Sequence, residues 1–231
     1  MANSKLNLEF DFFPFRLSGM VYGALLNHQS LIDALSEEAK EPPYKGLPKA
    51  PVLYVKPSNT HALSGDKVVL QKKNQQVEIG GTLGIVIGRT ASHLTLANAL
   101  DYVAGYTIVN DMSVAHSNFY RPSIPLKAVD GFCPIGPRVV SKADIQDPDK
   151  LNLSVYIDGN LVQTSNTGNR LRNVAQLLVD VSDFMTLNPG DILTIGVSTG
   201  APLAHAGQEV RVEIEGIGNL TNRLIEQGVS I

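Results

Sequence analysis

Apolar residues recur along this chain mainly with a period of two, which predicts a fold dominated by β-sheet. The segment 6–13 carries leucine or phenylalanine at alternate positions, as a half-buried strand does. The segments 153–157 and 161–164 predict a hairpin, because the Asp158-Gly159-Asn160 between them tolerates the positive φ angles of a tight turn. Runs rich in Val, Ile and Tyr predict further strands at 52–55, 68–70, 77–87, 106–109, 192–197 and 209–215.

Three segments have the character of helices. Ser30 is placed to cap a helix that continues through Leu35, and 96–103 predicts a short amphipathic helix. In 173–185 the apolar spacing is close to i, i+3, i+4, i+7, which predicts a longer helix. The segment 37–48 mixes charges with three prolines and one glycine, and so predicts a surface loop or lid.

Together these elements predict a single domain over residues 1–231, mainly β with few helices and therefore of the α+β class. Residues 1–50 would supply the N-terminal strand and the lid-like segment. Residues 51–231 would form the β core.

Composition excludes several classes of function. The 19 Lys and Arg against 22 Asp and Glu, net −3, provide no basic field for nucleic acid. Cys133 is the only cysteine, so the chain alone forms no disulfide, cysteine-based zinc site or iron–sulfur cluster. No uncharged apolar stretch reaches the length of a membrane span, and Asp11, Pro14 and Arg16 interrupt the N-terminal apolar segment. The sequence therefore predicts a cytoplasmic protein without a membrane partner.

Familiar catalytic motifs are not found. The five histidines lack the spacing of zinc ligands. Cys133 has apolar neighbours, which predicts a buried, inert thiol. Ser165 and Ser198 lack the G-x-S-x-G pattern of a nucleophile elbow, so a serine hydrolase has little support.

A denser group of polar residues extends from Asp111 to Asp130. Asp111 ends an apolar strand, a place from which a carboxylate can be presented to a hard cation. Arg121 can fork onto a carboxylate, and Lys127 can hold a carboxylate or an enolate as a point charge. The group suits an anionic substrate, although composition and spacing alone favour ordinary surface ion pairs around a turn.

Six segments, in order from residue 51 to the end, resemble the fumarylacetoacetate hydrolase family. They are LYVKPSNT at 53–60, GIVIGRTA at 84–91, ALDYVAGYTIVND at 99–111, LKAVDGFCPIGP at 126–137, QTSNT at 163–167 and FMTLNPGDILTIG at 184–196. FYRPSIPLK at 119–127 and NHQS at 27–30 narrow the resemblance to members that isomerise and decarboxylate intermediates of 4-hydroxyphenylacetate (homoprotocatechuate) breakdown.

This resemblance implies a mixed β-sandwich roll, a Mg²⁺ or Mn²⁺ ion held by three carboxylates, and 2-oxo acid substrates. Such members decarboxylate 5-carboxymethyl-2-oxo-hex-3-ene-1,7-dioate and isomerise 2-hydroxyhepta-2,4-diene-1,7-dioate. A di- or tricarboxylate of this kind would be bound by Tyr120, Arg121 and Lys127. The resemblance also implies a homodimer, or a heteromer with a paralogue that has all the metal ligands.

The metal ligands that the resemblance implies are incomplete in this chain. Gly80 and Thr82 occupy the columns of two of the three carboxylates, and Asp111 alone is retained. One carboxylate does not satisfy a divalent ion. Glu78 is a weak substitute, because it lies on the same strand face but roughly 7 Å along the strand from the first lost column.

Other family columns indicate further site residues. Lys127 matches the family lysine. The lid histidine, which activates water in hydrolytic members, falls near Leu31, and His28 lies three residues earlier. Val197-Ser198 stands where the family has a threonine and a proline, which leaves Ser198 or Thr199 to donate a hydrogen bond to a substrate carboxylate.

Three functions remain open from the sequence. The chain can be a subunit of an isomerase/decarboxylase, including one that tautomerises its substrate without metal by using Lys127 or His28 as the proton carrier. It can be a non-catalytic subunit that pairs with an active paralogue. A general hydrolase has the least support, because the metal carboxylates and the lid histidine are both missing.

Overall fold

A computed structural model describes residues 8, 10, 16–35, 37–42, 46–72, 76–116 and 124–228. The strands, in chain order, are β1 Val21–Leu25, β2 Val52–Lys56, β3 His61–Leu63, β4 Lys67–Leu70, β5 Gln76–Glu78, β6 Gly81–Ile87, β7 Val103–Asn110, β8 Ser113–Val114, β9 Cys133–Ser141, β10 Asn152–Ile157, β11 Asn160–Asn166, β12 Ile192–Thr194, β13 Leu203–His205, β14 Glu209–Ile214 and β15 Gly218–Glu226. The α-helices are α1 Gln29–Leu35, α2 Ile124–Lys127 and α3 Val174–Ser182, with 3₁₀ turns at Glu38–Lys40, Ser58–Thr60, Ala99–Tyr102 and Lys142–Asp144. None of these described helices is long and apolar enough to cross a membrane.

The strands form three sheets. The seven-stranded sheet has the order β2-β1-β12-β6-β7-β9-β3, the five-stranded sheet β11-β10-β14-β15-β4, and the three-stranded sheet β13-β5-β8. In the first sheet β1 and β12 are parallel, and β6 is antiparallel to both β12 and β7. Strands β1, β12 and β7 therefore run in the same direction and end at the same edge of the sheet.

The main core lies between the seven-stranded and five-stranded sheets. Strands β6, β7 and β9 contact β10, β14 and β15, and every residue of β6 and β7 is buried. Strands β10 and β14 instead alternate between buried and more exposed residues, as expected for a sheet with one face toward solvent. The predicted α+β class and mixed β-sandwich roll are confirmed.

Two local predictions are confirmed, although helix α3 ends at Ser182, before the predicted end at Met185. The hairpin forms between β10 and β11, with Asp158 at φ 49° and Gly159 at φ 80° in its turn. Helix α3 buries Val174, Leu177, Leu178 and Val181 along one face. Its first turn is capped by Asn173, whose side chain accepts a hydrogen bond from the Gln176 N–H at 2.8 Å.

Four predictions need correction. The segment 96–103 forms turns and a 3₁₀ helix rather than an α-helix, and its last residue already belongs to β7. The predicted strand 77–87 is divided into β5 and β6 around Gly80, and the strand predicted at 192–197 ends at Thr194. Helix α1 begins before Ser30, so Ser30 lies within the helix. The strand predicted at 6–13 falls mostly outside the described residues.

Candidate active site

A pocket of about 120 Å³ lies at the edge where β1, β7 and β12 end. The ends of three strands that run in one direction bring together segments that are far apart in sequence. The pocket is lined by Ala24, Leu25, Leu26, Leu31, Tyr54, Glu78, Gly80, Asp111, His116, Lys127 and the loop 197–201. No described residue of the lid-like segment 37–48 lines this pocket.

The pocket brings together most of the predicted site residues. Lys127, Asp111 and Glu78 share it with the loop that carries Ser198 and Thr199. His28 lies outside the lining. Tyr120 and Arg121 fall in 117–123, outside the described residues, so their predicted part in substrate binding stays a prediction.

Asp111 is at the base of this pocket. It follows the last residue of β7, is 2% exposed, and donates its backbone N–H to the carbonyl oxygen of Gly80 at 2.9 Å. Its carboxylate accepts a hydrogen bond from the Tyr54 hydroxyl and faces the ammonium groups of Lys56 and Lys127. Burial raises the pKa of Asp111, and the Lys127 ammonium opposes that rise.

Lys56 is a site residue that the sequence analysis missed. It ends β2, is 1% exposed, and places Nζ 2.8 Å from Asp111 Oδ1. Nζ also donates to the carbonyl oxygens of Met112 at 2.6 Å, Lys127 at 2.9 Å and Phe132 at 2.9 Å. The sequence feature that could have indicated this site residue is a lysine at the end of the apolar run LYV, directly before proline.

The hydrogen bonds of Lys56 favour its charged form. Burial and the Lys127 ammonium lower the pKa of Lys56 well below its ordinary value. Four acceptor oxygens nevertheless surround Nζ, and a neutral amine has only two N–H donors for them. We assign the ammonium form, because its three donors and its charge match three carbonyl oxygens and one carboxylate.

Lys127 presents a second ammonium group to the pocket. It ends helix α2, is 6% exposed, and its Nζ lies 3.4 Å from both carboxylate oxygens of Asp111. The same Nζ is 4.8 Å from the centre of the Tyr54 ring, within the range of a cation–π contact. Since Lys127 lines the pocket and Lys56 does not, it is the lysine that can meet a ligand.

The position of Tyr54 depends on a glycine in the neighbouring strand. Gly23 pairs with Tyr54 across β1 and β2, and a Cβ atom added at Gly23 would lie 2.1 Å from Tyr54 Cζ. The ring therefore occupies the space of the missing side chain. Only glycine at this position lets Tyr54 lie across β1 and reach Asp111.

Gly80 and Thr82, which stand where the family has two of its metal-binding carboxylates, do not fit a divalent ion. At Gly80 a Cβ atom would lie 2.2 Å from the carbonyl oxygen of Asp111, so the local backbone leaves no room for any side chain. Thr82 is fully buried, donates its hydroxyl to the carbonyl oxygen of Gly196 at 2.8 Å, and is not among the residues that line the pocket. The remaining carboxylate of Asp111 already faces two ammonium groups. Among the described residues no group of three or more His, Cys, Asp or Glu side chains is arranged to hold a metal.

Glu78 lies in the pocket wall beside His116. Burial raises the pKa of Glu78, while the His116 side chain and backbone N–H oppose the rise. The His116 ring is itself held by the Val114 carbonyl oxygen, 2.9 Å from Nδ1. Glu78 thus shares the pocket with Asp111, but these two carboxylates do not make up the family's set of three.

His28 reaches the pocket through a chain of hydroxyl groups. Its Nδ1 is 2.7 Å from Ser30 Oγ, and Ser30 Oγ is 2.6 Å from the hydroxyl of Thr199 in the pocket lining. His28 is 8% exposed, and burial together with the charge of Arg170 lowers its pKa. Neutral His28 can exchange a proton with the pocket through Ser30 and Thr199.

We expect His28 to make the folded protein less stable in mild acid. Because its pKa is lower in the folded chain than in the unfolded chain, the unfolded chain binds more protons as the pH falls through about 6.5. The stabilisation is complete above that pH and is lost below it. Urea unfolding at pH 7.5 and 5.5 should show a smaller loss for His28→Gln than for the unsubstituted chain; His61, also buried with a lowered pKa, remains in both. Equal losses would contradict the prediction.

The loop 197–201 carries two of the hydroxyl groups of the pocket, those of Ser198 and Thr199. Ser198 Oγ lies 2.5 Å from Ser165 Oγ, and Gln163 Nε2 donates to the carbonyl oxygens of Thr199 and Gly200 at 3.1 Å each. Strand β11, which carries Ser165 and Gln163, therefore holds this loop against the pocket. The hydroxyl groups of Ser198 and Thr199 have partners that orient them.

The fold and the pocket define a β-rich protein with a buried lysine–aspartate site at the ends of its strands. The model of the fumarylacetoacetate (FAA) hydrolase C-terminal family matches residues 20–225. The chain belongs to this family. It is 36% identical over 211 residues to the 4-hydroxyphenylacetate degradation bifunctional isomerase/decarboxylase of Escherichia coli, covering 91% of this chain and 48% of that protein. The chain thus spans about half the length of the curated relatives it matches.

Solved structures share the fold. A 5-carboxymethyl-2-hydroxymuconate delta-isomerase from Mycobacterium smegmatis matches with a TM-score of 0.78 and 29% identity, over 92% of this chain and 81% of that one. A 2-hydroxyhepta-2,4-diene-1,7-dioate isomerase from Mycobacterium marinum matches with a TM-score of 0.74 and 29% identity, over 93% and 77%. The chain is therefore similar to isomerases and decarboxylases of 4-hydroxyphenylacetate and homoprotocatechuate catabolism.

Proposed function

We propose that this chain is a subunit of the 5-carboxymethyl-2-oxo-hex-3-ene-1,7-dioate decarboxylase and 2-hydroxyhepta-2,4-diene-1,7-dioate isomerase of 4-hydroxyphenylacetate breakdown, and that it performs the isomerisation. The observation that carries the proposal is the position of the Lys127 ammonium group. Lys127 is 6% exposed and lines a small pocket. It lies beside the Asp111 carboxylate, which is already paired with a second cation, Lys56. The names of the similar proteins support the substrate class.

The isomerisation requires the movement of one proton. The 2-hydroxydienoate loses the proton of its O2 hydroxyl, negative charge develops over the dienolate, and C5 gains a proton to give the 2-oxo-3-ene. Lys127 stabilises the charge at O2, since a fixed cation in a buried site needs little reorganisation during the reaction. Ser198 and Thr199 orient the adjacent carboxylate, and His28 exchanges the proton through Ser30.

The family resemblance implies Mg²⁺ or Mn²⁺, which would polarise the oxygens of a 2-oxo acid. The lack of space for a side chain at Gly80 and the bonded hydroxyl of Thr82 support a site that does not take this ion. The proposed isomerisation therefore uses the chain's own ammonium group.

We expect neither metal ion to bind tightly. Isothermal titration of Mg²⁺ and of Mn²⁺ into the chelator-treated chain should give no saturable heat below about 1 mM, because one carboxylate paired with lysines is a poor site for a hard cation. Isomerase rates with and without EDTA should agree. Tight binding with restored turnover would contradict the metal-independent route.

The direct test follows loss of the dienol absorbance of 2-hydroxyhepta-2,4-diene-1,7-dioate with the chain alone. Turnover by the chain alone supports the proposal. Decarboxylation of the tricarboxylate is assayed in parallel, with and without a paralogue that carries all three metal carboxylates.

A second function, that of a non-catalytic subunit, is favoured by the loss of carboxylates at Gly80 and Thr82. In that case the chain forms the interface that an active paralogue needs. Turnover would then appear only in the mixture, and light scattering would show a heteromer. A homodimer with turnover by itself would exclude this function.

A further inference from the structure

The two lysines that face Asp111 are not equivalent. Lys56 Nζ is 2.8 Å from Asp111 Oδ1, whereas Lys127 Nζ is 3.4 Å from each carboxylate oxygen. The Tyr54 hydroxyl also donates to Asp111 Oδ2. The close ion pair is therefore Lys56–Asp111, and Lys127 is held only loosely by the same carboxylate.

Lys56 has no freedom to turn toward the pocket. Its other hydrogen bonds go to three backbone carbonyl oxygens, and it is as buried as Asp111, each side chain being 1% exposed. These carbonyl groups belong to the residue after Asp111, to Lys127 itself and to the residue before β9. One ammonium group thus joins the backbone segments that carry Asp111 and Lys127.

We propose that Lys56 is a positioning residue that neutralises Asp111, so that the Lys127 ammonium keeps its charge and its N–H donors for the anionic oxygen of a 2-oxo dicarboxylate. The two lysines and one aspartate leave a single net positive charge, and it is on the pocket side. Without Lys56, the carboxylate would draw Lys127 into a close ion pair and cancel the charge that the ligand meets. This role deepens the proposed function and rests on it for the identity of the ligand.

The experiment is a double-substitution cycle with Lys56→Met, Asp111→Asn and the pair combined. The probe is 2-oxoheptanedioate, a saturated 2-oxo dicarboxylate, with its Kd measured by calorimetry. We expect Lys56→Met to weaken binding at least tenfold and the double variant to return to within about threefold of the unsubstituted chain. The control is Lys142→Met, which removes a lysine that donates to the Leu100 carbonyl oxygen away from the pocket and should leave Kd unchanged.

A purely structural role for Lys56 predicts a different result. If the three carbonyl hydrogen bonds are all that matters, Asp111→Asn cannot rescue Lys56→Met, and a double variant as weak as the single one overturns the proposal. If Lys56→Met does not fold, the Asp111→Asn variant alone tests the proposal, since in it Lys56 keeps its hydrogen bonds to the three carbonyl oxygens. The proposal then requires binding at least as tight as in the unsubstituted chain, and weaker binding overturns it.

A crystal structure of Lys56→Met gives a readout that needs no ligand. Lys127 Nζ should move from 3.4 Å to within 3.0 Å of the Asp111 carboxylate, and an unchanged or longer distance would overturn the proposal. Failure of the unsubstituted chain to bind the probe or to isomerise the dienol would count against the proposed function alone. The distance from Lys127 Nζ to the Asp111 carboxylate in the Lys56→Met structure would then decide the role of Lys56.

Discussion

Replacing Lys127 by alanine is expected to abolish most of the isomerase activity, lowering kcat/KM by about 10²–10³-fold. That is the usual loss when one preorganised group that stabilises a developing oxyanion is removed. Lys127 is the ammonium group at 6% exposure in the pocket lining, and Lys56 cannot replace it because three carbonyl oxygens hold it in place. Since negative charge develops most fully in the transition state, kcat should fall more than KM rises.

The measurement is steady-state isomerisation of 2-hydroxyhepta-2,4-diene-1,7-dioate by Lys127→Ala and by the control Lys142→Ala. Lys142 is a partly exposed lysine that donates to the Leu100 carbonyl oxygen away from the pocket, so its removal should leave the rate unchanged. Urea unfolding of both variants shows whether the chain remains folded. Equal rates for Lys127→Ala and the unsubstituted chain would show that Lys127 is a structural residue.

Replacing Gly80 by alanine is expected to destabilise the protein by about 3 kcal/mol, the upper part of the range for overpacking a tight interior. The added Cβ would lie 2.2 Å from the Asp111 carbonyl oxygen and 2.9 Å from the carbonyl carbon. These are backbone atoms, and the same carbonyl belongs to the residue that anchors the pocket. The strain cannot be relieved by rotating a side chain, so the backbone must shift.

The free energy of unfolding in urea measures this effect, with Gly65→Ala as control. Gly65 has φ +91° and open space around its Cβ position, so its substitution reports only the cost of the backbone conformation, about 1–2 kcal/mol. A Gly80→Ala cost no larger than that of Gly65→Ala would show that the site has room for a side chain. In that case a metal carboxylate could be restored at position 80.

Local patterns predicted those elements whose signals lie within a few residues. The β10–β11 hairpin follows from Asp158-Gly159, and helix α3 follows from its apolar spacing. The division of 77–87 into two strands could not be predicted in this way. Gly80 interrupts the strand, and Asp111, which directly follows β7, passes too close to it for a side chain.

The candidate site was predictable only in part. The resemblance to the family singled out Lys127 and Asp111, and the structure places them 3.4 Å apart at the base of one pocket. Lys56 and Tyr54 were missed, although both lie in a segment that carries the resemblance. A lysine at the end of an apolar strand is ordinary in sequence. Its significance comes from burial and from the four oxygen atoms around Nζ.

The sequence by itself determined the α+β class, the family and the loss of two metal carboxylates, because residue types and their local spacing carry that information. The tertiary structure decided which of the charged side chains pair with one another and which face the pocket. It paired Asp111 closely with Lys56, left Lys127 facing the pocket, and linked His28 to Thr199 through Ser30. These relations join residues up to 169 positions apart. They depend on whether an ammonium group lies 2.8 Å from the Asp111 carboxylate, as Lys56 does, or 3.4 Å from it, as Lys127 does, and no local pattern encodes such a difference.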